Sequence, residues 1–186
     1  MKRLLSFLLC VFLLSGCNSS SGELDAAISL RQRLNHSGGC SFECLITADY
    51  ADVLYEFTLS CTSDPLGQIR FQVIAPETIC GIAGQMDQTG GELTFDDKLL
   101  AFPLLADGYL SPVSAPWLMI KALQGGYIAS AGKDGSGYFF TINDTYAEET
   151  MQVDIWLDNE QKPLFCQILW QGRRILSLSV SNFIYL

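Results

Sequence analysis

Seven cysteines and a single histidine are the residues of this chain best suited to chemistry, and their spacing narrows what each could do. Cys17 closes the tetrad Leu14-Ser15-Gly16-Cys17, directly after an apolar run over 4–14 that itself follows Lys2 and Arg3. A basic tip, a short apolar run and small residues before a cut describe a removed export signal. The run is too short for a hydrocarbon core, which takes roughly 20 residues. Ser15 and Gly16 let extended backbone enter a peptidase, and the Cys17 thiol is then placed to take a diacylglycerol in thioether linkage. The expected chemistry at Cys17 is lipidation, a bacterial modification, with 1–16 lost and Cys10 lost among them. Two or more acyl chains, at ~0.8 kcal/mol per buried methylene, make a stable anchor where one chain is reversible.

The other five cysteines, Cys40, Cys44, Cys61, Cys80 and Cys166, are odd in number. An exported location permits disulfides, yet one thiol must stay free or pair elsewhere. Cys40 and Cys44 precede a turn around Asp49-Tyr50-Ala51-Asp52, and Cys61 follows it. A turn centred between Tyr50 and Ala51 sets Cys40 opposite Cys61; a centre two residues later sets Cys44 there instead. A Cys40–Cys61 or Cys44–Cys61 bridge is expected, against buried free thiols. No metal is expected, because Cys40-x3-Cys44 has no second close pair and a structural zinc needs four ligands.

Catalytic groups are poorly represented. His36 stands beside Ser37-Gly38-Gly39 and reads as a solvated loop residue between a helix and a strand. The acidic pairs Asp96-Asp97 and Glu148-Glu149, and Asp107-Gly108, fall in turns, where carboxylates are usually solvated rather than paired for glycoside chemistry. Neither a nucleophile elbow nor a phosphate-cradling glycine loop is present. The expectation is a non-enzyme without cofactor.

Charge limits the partners. Lys and Arg number 11 against 20 Asp and Glu, and two of the 11 go with the signal. That balance excludes nucleic acid, whose binding rests on cations neutralising phosphates. It also speaks against adhesion to anionic lipid by charge, so the anchor must hold the protein at its membrane. The expected location is the extracytoplasmic face of a bacterial cell membrane.

The elements that must position any site come next. The expected organisation is a signal over 1–16, a lipidated tether over 17–22 and one domain over 23–186, long enough for a real core. Leu24, Ala27, Ile28 and Leu34 fall near helical spacing over 23–35, with Arg31 and Arg33 toward the end where cations suit the helix dipole. From Cys44 onward the period becomes two, through Ile46 and Ala48, Tyr55, Phe57 and Leu59, then Ile69, Phe71 and Val73. Strands are expected at 79–86, around Leu93 and Phe95, and at 99–102, with close turn signals between them, the mark of an antiparallel sheet. Ser111 to Pro116 opens a helix, apolar on most of its circumference, that Gly125-Gly126 ends. Such a helix must be buried on a sheet. Further strands follow at 127–131, 137–142, 151–157, 164–171 and 174–184. The fold class expected is mainly β (α+β): a curved antiparallel sheet of about 10–11 strands forming an incomplete β-barrel, with an N-terminal and a mid-chain helix on its concave side.

Val73-Ile74-Ala75-Pro76 with Ile79-x-Gly81, the mid-chain helix, and Ile155-Trp156-Leu157-Asp158 followed by Pro163 occur in an order that resembles the LolA/LolB superfamily, the outer-membrane lipoprotein carrier and receptor and their relatives. The resemblance spans about 24–186. It implies an incomplete barrel closed by helices around an apolar cavity for acyl chains. An anchor at Cys17 brings the chain nearer the anchored receptor or the Gram-positive members than the soluble carrier. The function then expected is binding of an acyl chain, lipid or other apolar ligand in a half-barrel, with Phe71, Phe95, Trp117, Ile120 and Trp156 as candidate lining. The alternative is a non-catalytic interaction module of the cell envelope that docks a protein partner, in sporulation or envelope stress.

Overall fold

A computed structural model describes residues 21–50, 53–96, 98–102, 105–106, 109–143 and 151–186. Helix α1 (Ser21–His36) buries Ala26, Ala27, Leu30 and Leu34, one stripe at helical spacing. Its first two residues lie inside the stretch expected as tether. At its end Gly39 has φ +119°, and a Cβ there would stand 2.0 Å from the Ser63 carbonyl oxygen, so only glycine fits.

Thirteen strands follow among the described residues: β1 (Cys40–Asp49), β2 (Leu54–Ser63), β3 (Ile69–Ala75), β4 (Ala83–Asp87), β5 (Gly90–Phe95), β6 (Lys98–Phe102), β7 (Leu105–Ala106), β8 (Tyr109–Leu110), β9 (Tyr127–Asp134), β10 (Gly137–Asn143), β11 (Met151–Leu157), β12 (Pro163–Trp170) and β13 (Arg173–Tyr185). Eleven form one antiparallel sheet in the order β6-β5-β4-β3-β2-β1-β13-β12-β11-β10-β9, while β7 and β8 pair separately. The first and last strands meet at the centre, with Cys44 opposite Val180 and Ile46 opposite Leu178. β6 and β9 end the sheet without pairing to each other, so the barrel is incomplete. The expected class, strand number and two helices are all present.

Helix α2 (Ala115–Gly125) enters through a 3-10 turn at Pro112–Ser114 and carries Pro116 in its first turn, where a missing N–H costs nothing. Every residue from Ala115 to Leu123 except Lys121 is buried. Its principal contacts are α1, β10, β11 and β13; those of α1 are α2, β9 and β10. The two helices lock at one point. Arg31 on α1 donates from Nε to the Leu123 carbonyl at 2.7 Å, and from its NH2 nitrogen to the Gly126 and Ala122 carbonyls at 2.6 and 3.2 Å. A cation here meets the negative end of α2, where the Ala122 carbonyl also accepts the Gly126 amide at 2.9 Å. Burial draws its guanidinium below the ordinary value.

One expected strand is shorter than its sequence suggests. The run 79–86 becomes a strand only from Ala83, because Glu77–Ile79 forms a 3-10 turn and Gly81 takes φ +92°. Gly81 N donates to the Val73 carbonyl and Val73 N to the Ile82 carbonyl, so the chain crosses back before the ladder resumes.

Candidate functional site

Alternation sorts the sheet into two faces, and on the inner one the strands β3 to β6 form an apolar wall that ends at Lys98. Phe71 lies opposite Gly84, and Ile69 opposite Met86. Gly84 is opposite Leu93 and Met86 opposite Gly91. Gly91 is opposite Phe102, Leu93 opposite Leu100, and Phe95 opposite Lys98. The two glycines are seats for rings. A Cβ on Gly84 would come 2.7 Å from Phe71 Cζ and 2.4 Å from the Glu92 carbonyl oxygen, and one on Gly91 only 2.3 Å from Phe102 Cζ.

Cover ends part-way along this wall. Phe71 and Met86 are buried, Leu93 and Phe102 pack partly against the core, but Phe95 and Leu100 are 53 % and 63 % exposed. Large apolar side chains facing the same side as a core, yet left in water, are the informative exception among exposed residues. An apolar surface that covered them would gain about 25 cal/mol per Å² removed from water.

A depression of about 520 Å³ opens between α2 and two turns, lined by Trp117, Lys121 and Gln124 with Asp64, Leu66–Gln68 and Asp87–Thr89. The Lys121 ammonium lies 4.9 Å from the Trp117 ring centroid, a cation–π contact. The two carboxylates here hold turns. Asp64 Oδ1 accepts from the Leu66 and Gln68 amides, both at 2.9 Å. Asp87 Oδ1 accepts from the Thr89 hydroxyl at 2.6 Å and the Thr89 amide at 2.7 Å, which hold its carboxyl below the usual range. Groups engaged in this way fix backbone rather than shuttle protons.

The expected lining residues separate into four places. Phe95 stands on the open wall and Trp117, 5 % exposed, on the rim of the depression. Phe71 and Ile120, at 3 % and 0 %, are core. Trp156 faces the other way: on β11 it shares its face with Gln152 and Asp154, while Val153, Ile155 and Leu157 point inward. It belongs to an outer-face ladder with Phe139 and Phe165, at centroid distances of 6.3 and 5.5 Å. Leu93, Leu100 and Phe102 are wall residues that the sequence reading left out; Leu93 alternates with Glu92 and Thr94, whereas the all-apolar run 99–102 gives no sign of which face is inner.

The cysteine geometry also differs from expectation. The β1–β2 register places Cys40 opposite Ser63, Phe42 opposite Cys61 and Cys44 opposite Leu59, midway between the two turns considered. Cys61 is therefore diagonal to both Cys40 and Cys44. The Cys44 and Cys61 sulfurs stand 4.0 Å apart as thiols, where a bond needs about 2.05 Å. Burial pushes the Cys40 thiol up to about 12, and raises Cys61 and Cys166 well above the ordinary thiol. Thiols held protonated in this way are inert packing groups, not nucleophiles. Cys80 alone of the five is exposed.

His36 is the last residue of α1 rather than part of a loop, with Nδ1 donating to the Gln32 carbonyl at 2.7 Å. Among the described residues no group of three or more His, Cys, Asp or Glu could hold a metal, and no helix is long and apolar enough to cross a membrane. Cys17, Asp97, Asp107 and Glu148-Glu149 lie outside the described residues.

No protein-family model matches this sequence, and no curated protein does. Solved structures are similar. One is an uncharacterized conserved protein from Thermus thermophilus, with 14% identity over 87% of this chain and 88% of that one and a TM-score of 0.47. A LolA superfamily protein from Nitrosomonas europaea has 9% identity over 86% and 93% with a TM-score of 0.43, and the Mycobacterium tuberculosis lipoprotein LppX has 10% over 88% and 96% with 0.42.

Proposed function

We propose that this chain is a lipid-anchored protein of the bacterial envelope that takes an acyl chain, or another apolar ligand of that shape, against the inner wall of β4–β6. It works by binding and carries out no reaction. The observation that carries this reading is the half-uncovered wall: Phe95 and Leu100 face the core side of the sheet, and more than half of each surface is left to solvent. Apolar lining with few polar groups is how small-molecule sites usually look. Cys17 supplies the anchor and places the domain outside the cytoplasm.

The test is displacement of a fluorescent fatty acid from the purified protein. Phe95→Glu and Leu100→Glu place a charge on the wall at surface positions and are expected to weaken probe binding at least about tenfold, the order of 1.4 kcal/mol, with folding intact by circular dichroism. Unchanged binding in both variants would remove the wall from the reading.

A second reading is an interaction module for an envelope protein. It is favoured by the free edge β6, where Leu99 is 65 % exposed and the sequence Lys98-Leu99-Leu100-Ala101-Phe102 has neither proline nor a central charge to blunt pairing. An added strand from a partner would pair with that edge. Cross-linking from a photoreactive residue at 99 to an envelope protein, with no fatty acid bound, would favour it over the first.

A further inference from the structure

Away from the wall, a second apolar surface lies beside α1. Leu24 and Ile28, one helical turn apart, line a groove of about 440 Å³ with Arg31 and the segment Gly125–Ile128. Leu24, Ile28 and Tyr127 on its rim are 42 %, 41 % and 45 % exposed. The cation of the groove is already committed to three carbonyls at the end of α2. The rest of the groove is apolar, with the part-exposed Tyr127 on its rim, next to the acidic Glu23 and Asp25 of α1.

From this surface we infer that the α1–β9 groove is the face the protein lays against the bilayer that holds it, with Leu24, Ile28 and Tyr127 dipping into the headgroup boundary. The inference rests on the anchor at Cys17. Ser21, the first residue of α1, is four positions beyond Cys17, a reach of at most about 14 Å of extended chain. Leu24 lies about 4.5 Å further along the helix axis. A cysteine fixed at the headgroups therefore keeps this end of α1, and the groove beside it, within a short chain length of the membrane. Tyrosine suits that layer, having an apolar ring and a polar tip. Neighbouring carboxylates make the contact apolar rather than electrostatic, so zwitterionic lipid suffices.

The probe is the lipidated full chain in phosphatidylcholine vesicles with brominated acyl chains, which quench tryptophan at the boundary. Tyr127→Trp and Ile28→Trp are each expected to lose most of the emission they add over the parent protein and to shift it to the blue. Leu164→Trp, at an exposed position on β12, and Leu54→Trp, at the β1–β2 hairpin, are expected to keep theirs. Quenching at 54 with none at 127 or 28 would mean that the hairpin faces the bilayer and overturns the inference. Protein that sediments with vesicles while 127 and 28 stay unquenched overturns this inference alone. Protein that fails to sediment overturns the anchor and this inference together.

Discussion

The two halves of the sheet have the same local grammar and different fates. On β1 and on β10 to β13 the inward side chains are largely covered: Ile46, Phe140, Ile155, Ile168 and Leu178 are all fully buried. On β5 and β6 the inward positions alternate just as regularly, yet Phe95 and Leu100 remain more than half exposed. The difference lies in what covers them. α1 and α2 make their principal contacts with the β9–β13 half. Alternation decides which way a side chain points, and only cover decides whether it is core or binding surface.

The largest effect should come from one matched pair of truncations. Ile155→Ala is expected to cost about 2–5 kcal/mol of unfolding free energy, as for other fully buried large-to-small changes. Leu100→Ala is expected to change it by no more than about 0.5 kcal/mol, as for surface sites. Urea titration of both variants reads the contrast; a cost above about 2 kcal/mol at Leu100 would show that the wall is core after all.

A second effect is read by pH, at thiols of β1, β2 and β12. Cys40, Cys61 and Cys166 are held protonated by burial, whereas the ordinary thiol loses its proton near 8.5. Above that pH the unfolded chain binds fewer protons than the folded one, so stability falls as pH rises, toward about 12 for Cys40. Each such thiol contributes up to about 1.4 kcal/mol per pH unit. Under reducing conditions, unfolding free energy should drop between pH 8.5 and 10, and Cys40→Ala should make the drop shallower. An identical slope in that variant would mean that Cys40 is not shielded.

The smallest effect tests how completely the covered half is satisfied. Tyr185 on β13 has a buried hydroxyl with no hydrogen-bond partner among the described residues, and the Arg33 guanidinium lies 5.6 Å from its ring centroid. Removing an unsatisfied buried group leaves stability unchanged or raises it by up to about 1 kcal/mol. Tyr185→Phe should do so in a thermal melt; a clear fall would reveal a partner for that oxygen.

Much of this was legible in the chain. The two helices, most of the strands and the class of sheet follow from periods of 3.6 and 2 together with Gly and Pro punctuation. Trp156 was legible too, since it shares parity with Gln152 and Asp154, and its outward face follows from that. The Cys40, Cys44 and Cys61 arrangement was not, because the turn after Asp49 allows several centres and each step in register changes which cysteine faces which residue. The late start of β4 was hidden in a run that reads as strand until Gly81 takes a conformation suited to glycine.

By itself the sequence determined the alternation of faces, the two helices and the acidic balance, because each rests on residues close together in the chain. It also carries the Cys17 motif, on which the anchor is proposed. The tertiary structure alone decided where the helices lie, and so which apolar residues became core and which became an open wall. That choice compares buried area across strands as distant as β1 and β13, and no local pattern encodes the outcome.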